Sequence, residues 1–262
     1  MSRESRPKDL TVVDGAASGA WIAPRLEGGF GGKVEQQVPN GYDAYVRVLH
    51  PASDREGNPV TWAEVAEALG RTAHRQMQWH KLVGSNDPPE MTGSEWPGGN
   101  PRTGELDELS LAALCHVLQA HTLDRERCFF GLSTIYGGVE DAYPDAVQLR
   151  WWNRDFVVFS GPLAAADQVG YESGLGFVAI GRAVCSDEPP PPPPDPVHWF
   201  AQAPNLIWPA DHSWYVASEY DLDSTLVGGS RDLIDAILAA PDLETWEVER
   251  SDSLQADADK IN

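Results

Sequence analysis

The chain has 262 residues and a formal net charge of -21, enough length for one large domain or two small ones and for a substantial buried core. The charge is unevenly spread: residues 1–50 hold six acids and six bases, whereas residues 201–262 hold thirteen acids against three bases. A surface of this sign repels phosphate backbones and anionic lipid, which excludes sequence-independent nucleic-acid binding and peripheral membrane docking while admitting a basic protein partner.

In chain order, residues 1–11 are polar and aperiodic and are expected to be disordered. The start lacks the apolar run of a signal peptide and nowhere do eighteen apolar residues follow one another, so a cytoplasmic location is expected. Three cysteines, 115, 128 and 185, form no close pair and fit reduced thiols. The glycines around Phe30 lack phosphate-loop spacing and read as a turn. Tyr42 to Leu49 reads as a strand closed by His50-Pro51. A helix follows from Thr61, where Thr61 and Glu64 form a capping box and Trp62, Val65 and Leu69 make one stripe that stops at Gly70. Residues 81–104 are rich in Gly, Pro, Asn and Ser and form a long loop.

A second helix spans about Leu106 to Ala120, with Leu111, Leu114, Cys115 and Leu118 on one face. Cys128–Tyr136, Ala146–Trp152 and Phe156–Phe159 are strand candidates, the last two joined by a tight hairpin at Asn153-Arg154-Asp155. Phe177–Val184 is a further candidate strand. Six prolines, 189–194, impose an extended stretch, expected as a surface loop at 189–196 because strand signal resumes at Trp214–Tyr220. A third helix, Arg231–Ala240, follows Ser230 and ends at Pro241. The expected architecture is one α+β domain over residues 12–250, a mainly antiparallel sheet packed against about three helices, followed by a loose acidic tail at 251–262.

The candidate chemistry lies at Asp221-Leu222-Asp223-Ser224-Thr225-Leu226. This stretch resembles the first motif of the haloacid dehalogenase phosphohydrolases. The resemblance implies Asp221 as nucleophile, Asp223 as general acid/base and a Mg2+ ion held beside them; Glu219, nearby in sequence, is a candidate further ligand because a hard cation takes several carboxylate oxygens. That family places its phosphate-binding Ser or Thr, its lysine and an acidic pair on later strands of a doubly wound sheet. Here the only lysine after Asp223 is Lys260, so the simpler expectation is that Asp223 or Ser224 organises a turn and that no cofactor is used. Cys115, His121 and Cys128 match no zinc spacing. Tyr42–Pro51, Thr61–Val65 and Asn205–Ser230 are similar to stretches of uncharacterised proteins of high-GC Gram-positive bacteria, a resemblance that implies no activity.

In the hairpin, side chains alternate between faces, so Val147, Leu149 and Trp151 share one side and Gln148, Arg150 and Trp152 the other. The first set is expected in the core, and the second forms a candidate binding surface. Failure of every catalytic template, together with the charge, leads to the expectation of a non-catalytic interaction protein that binds a basic partner through an acidic surface, as immunity and adaptor proteins do. The alternative is a Mg2+-dependent phosphohydrolase using Asp221 and Asp223.

Overall fold

The computed structural model describes residues 2–3, 8–29, 31–85, 91–151, 153–173 and 198–262. Its strands are β1 (Ser2–Arg3), β2 (Thr11–Val13), β3 (Ala44–Leu49), β4 (Ala52–Ser53), β5 (Pro59–Val60), β6 (Cys128–Ser133), β7 (Leu149–Trp151), β8 (Arg154–Gly161), β9 (Gly170–Ser173), β10 (His198–Ala201), β11 (Leu206–Pro209), β12 (Tyr215–Ala217), β13 (Ser224–Gly229) and β14 (Thr245–Val248). Its helices are α1 (Gly15–Ser18), α2 (Val34–Gln37), α3 (Trp62–Leu69), α4 (Trp79–Leu82), α5 (Glu108–Ala120), α6 (Val139–Ala142) and α7 (Arg231–Leu238). Nine strands form one sheet in the order β14-β3-β13-β12-β11-β6-β8, with β2 and β7 sharing the outer edge of β8. Among the described residues every pairing is antiparallel and no doubly wound sheet of the kind the phosphohydrolase resemblance implied is present; the chain is α+β.

Both faces of the sheet are covered. Alternation along β3 sends Val46 and Val48 toward α5, α7 and the 3-10 segment Leu163–Gln168, where Leu114, Leu118, Ile234 and Ile237 complete the larger core. Each such aliphatic side chain contributes about 1.5–3 kcal/mol on burial. Tyr45 points the other way, into a second core with Trp208, Tyr215 and Leu226, closed over by Ile22, Val34 and Val38 of the N-terminal segment. A third cluster packs Trp62, Val65, Met77 and Trp79 beside Leu49.

The expected helices are present, and their ends follow their caps. Thr61 and Glu64 exchange bonds as a capping box, and Gly70 ends α3 in the left-handed region at φ 64°. Asp107 accepts from Leu109 and Ser110, so α5 begins at Glu108 rather than Leu106. Ser230 caps α7.

Several expectations are corrected. Ser224–Gly229 is a wholly buried central strand, so Ser224 opens a strand where it was expected to organise a turn. Gly228 is required there because a Cβ would lie 2.6 Å from the Tyr42 ring. The acidic tail is docked: Leu254 donates to the Gly32 carbonyl, and Asp259 accepts from Gln78, Ile261 and Asn262. Within the segment 1–11, where disorder was expected, Ser2–Arg3 pairs with β10 and Leu10 is buried; residues 1 and 4–7 lie outside the described residues. Trp152, the strand expected at 177–184 and the proline stretch lie outside the described residues.

Candidate functional site

Asp223 stands just before β13, opposite the end of β3. Its carboxylate accepts from the Arg47 guanidinium at 3.3 Å. Arg47 is the single charged residue within the run Tyr45-Val46-Arg47-Val48-Leu49, and strand alternation turns it away from α5 and α7 and under Trp62 of α3, with its side chain 1% exposed. Its Nε donates to Ser224 Oγ at 2.9 Å and its Nη1 to the carbonyls of Arg75 and Met77 at 3.2 and 2.8 Å, while the Trp62 ring lies 5.4 Å from the guanidinium. This is how a buried arginine is tolerated: its fork of donors is used on four oxygens and its charge is balanced by one carboxylate. Burial pushes the Asp223 carboxyl upward, and the Arg47 charge pulls it back.

Asp221 and Glu219 are engaged by a second arginine. Arg154, at the start of β8, reaches Glu219 at 2.8 Å and Asp221 at 2.9 Å. The turn expected here exists, but Glu219 organises it, accepting from the Asp221 N–H at 2.9 Å. Neither Asp223 nor Ser224 does so: one holds Arg47 and the other opens a strand. A metal at Asp221 and Asp223 would have to displace two guanidinium groups, and among the described residues no three His, Cys, Asp or Glu side chains gather as cation ligands.

Among the described residues His50 and two hydroxyls form a relay. His50 Nδ1 lies 2.7 Å from the Arg102 carbonyl, which can only accept, so the proton sits on Nδ1 and Nε2 accepts from Thr225 Oγ1 at 2.9 Å. Ser218 Oγ lies 2.6 Å beyond. These are the ingredients of an activated hydroxyl, yet all three residues are buried. The cavity that touches Ser218 holds about 10 Å3, room for one water and no substrate. Burial pushes His50 down to about 4, so at neutral pH it is an uncharged structural link. The buried Cys115 and Cys128 thiols are pushed up to about 12, which makes them unreactive.

In the hairpin, Trp151 pairs with Arg154, Leu149 pairs with Phe156, and both Trp151 and Leu149 are buried as the alternation requires. Val147, expected on the same side, precedes the strand and is exposed. Arg150 points to solvent beside Asp155 at 3.6 Å, and Gln148 is half-buried.

The surface feature that the sequence reading passed over is a groove of about 510 Å3 where the starts of α3 and α5 meet the segment 241–244. Its apolar lining runs from buried Leu49 through half-buried Val60, Ala113 and Leu243 to exposed Leu109 and Pro241. Its acidic lining is Glu64, Asp107, Asp242 and Glu244. Leu109 carried the available signal: it falls outside the stripe of Leu111, Leu114 and Leu118, an apolar residue on the polar side of an amphipathic helix. Comparison of the chain with protein-family models, with curated proteins and with solved structures finds no match.

Proposed function

We propose that the protein is a non-catalytic interaction protein that binds a basic protein partner in the cytoplasm through its acidic surface, in the manner of an immunity or adaptor protein. The observation that carries this reading is the use made of the carboxylates in the 219–223 turn. The groups that could serve phosphoryl chemistry are tied to Arg47 and Arg154, which leaves charge at the surface as the chain's most distinctive chemical property. A surface of this kind speeds encounter with a cationic partner and rejects nucleic acid and anionic membrane. Among the described residues no helix is long and apolar enough to cross a membrane.

Affinity capture from a host extract at low and at high ionic strength tests the proposal. The expected result is a partner of basic isoelectric point that is retained at low salt and released as salt rises. Recovery of no specific partner, or of one indifferent to salt, overturns it.

A further inference from the structure

We propose, resting on that reading, that the groove between α3, α5 and segment 241–244 is the docking site, and that it takes an apolar side chain flanked by lysine or arginine on an exposed segment of the partner. Two independent properties meet there. The lining is apolar over Leu49, Val60, Ala113 and Leu243, and it extends into Leu109, a leucine 74% exposed with nothing packed over it among the described residues. An open apolar strip of this kind is what a docked side chain covers. The same lining carries four carboxylates and no lysine, arginine or histidine.

The helix ends decide the sign of the occupant. Two helix N-termini open at this groove, and such ends ordinarily attract anions. Here their donors are taken: Glu244 accepts from the Trp62 and Ala63 N–H groups, Thr61 from Glu64, and Asp107 from Leu109 and Ser110. An anionic ligand would meet carboxylates already in its place, whereas a cation flanking the apolar strip meets Asp242, exposed, and the outer oxygens of the caps. A second copy of this chain is a poor occupant because it would bring its own excess of carboxylates to the same groove. A small ammonium ion alone would leave the apolar lining uncovered.

The test uses the full chain and a fluorescent probe peptide of alternating leucine and lysine, followed by anisotropy. Companion probes are an all-lysine peptide and one with glutamate in place of lysine. Leu109→Ser and Asp242→Lys alter exposed groove residues, and Glu140→Lys makes the same charge change elsewhere; circular dichroism confirms that each is folded. The expected result is binding of the leucine–lysine probe, weakened about tenfold or more by either groove variant and much less by Glu140→Lys, with the glutamate probe not bound. Equal loss in Asp242→Lys and Glu140→Lys, with Leu109→Ser unchanged, overturns the groove while leaving the acidic-surface reading intact. Equal binding of the all-lysine probe overturns the apolar anchor. Failure of every cationic probe overturns both readings, and a concentration-dependent dimer in sedimentation that Leu109→Ser abolishes would assign the groove to a second copy instead.

Discussion

Arg47, on β3, and Asp223, at the entry to the neighbouring strand β13, lie 3.3 Å apart though 176 residues apart in the chain, and form a charge pair in which the arginine is sealed from solvent. The pair joins β3 to the entry of β13 and, through the Arg75 and Met77 carbonyls, to the segment that carries the third hydrophobic cluster. Burying a guanidinium is tolerated only while every donor keeps its partner.

Removal of either partner is therefore expected to destabilise the fold strongly. Arg47→Ala should cost about 3–5 kcal/mol, and Asp223→Ala somewhat less because water reaches that carboxylate. Arg47→Lys should not rescue, since one ammonium cannot serve four oxygens in a fork arrangement. The double variant should cost less than the sum of the single ones. Urea unfolding measures all four. Single-variant losses below about 1 kcal/mol would contradict the structural role of the pair. Millimolar Mg2+ should leave the melting temperature of the wild-type chain unchanged, because both aspartates are already held by arginines.

The hairpin gives a sharper contrast between neighbours. Trp151 is 4% exposed and its ring stacks 6.1 Å from Phe156, so Trp151→Ala should cost about 3–5 kcal/mol. Arg150→Ala, one residue earlier and facing solvent, should lie within about 0.5 kcal/mol of wild type. Similar losses at both positions would mean that the alternation is not what determines stability there.

His50 makes stability depend on pH. Its folded-state value is pushed down to about 4 by burial, whereas an unfolded histidine titrates near 6.5. The unfolded chain thus takes up a proton between about pH 6.5 and 4 that the folded chain refuses. Stability is fully present above about 6.5, falls as the pH drops toward 4 by about 3 kcal/mol from this group, and gains no further slope below that. Denaturation of wild type and His50→Gln across this range checks it. The variant should be weaker at neutral pH and should lose less on acidification, because the downward-shifted His80 and His212 contribute to both proteins alike. Parallel pH profiles would contradict the assignment.

The strength of local signals governed how much of this architecture was legible in the sequence. Helices α3, α5 and α7 were readable because cap residues and a 3.6-residue stripe coincide in each, and β3 and the β7–β8 hairpin were readable from β-branched and aromatic runs. Strand β13 was not, because Ser224-Thr225 and Gly228-Gly229 look like turn chemistry and their burial comes from neighbours on both sides: Arg47 and His50 satisfy the hydroxyls, and the Val38, Tyr42 and Tyr45 side chains fill the space at Gly228. The docked tail escaped for a related reason. Its acidic composition suggests solvent, yet Asp252 and Asp259 are buried because backbone N–H groups and His74 or Arg75 receive them. At the candidate site the motif Asp221–Asp223 was visible, but its arginine partners at positions 47 and 154 are distant in sequence and only the sheet brings them there. The groove is likewise assembled from three separate segments, with Leu109 as its one local hint.

Titration of the partner captured from the host against the full chain, at a series of NaCl concentrations, tests the central claim most directly. An acidic surface meeting a basic one predicts a Kd that rises steadily with ionic strength, by about tenfold or more between low and physiological-to-high salt, with the change carried largely by the association rate. A Kd that stays constant across the series, or a partner without a basic surface, would contradict the account.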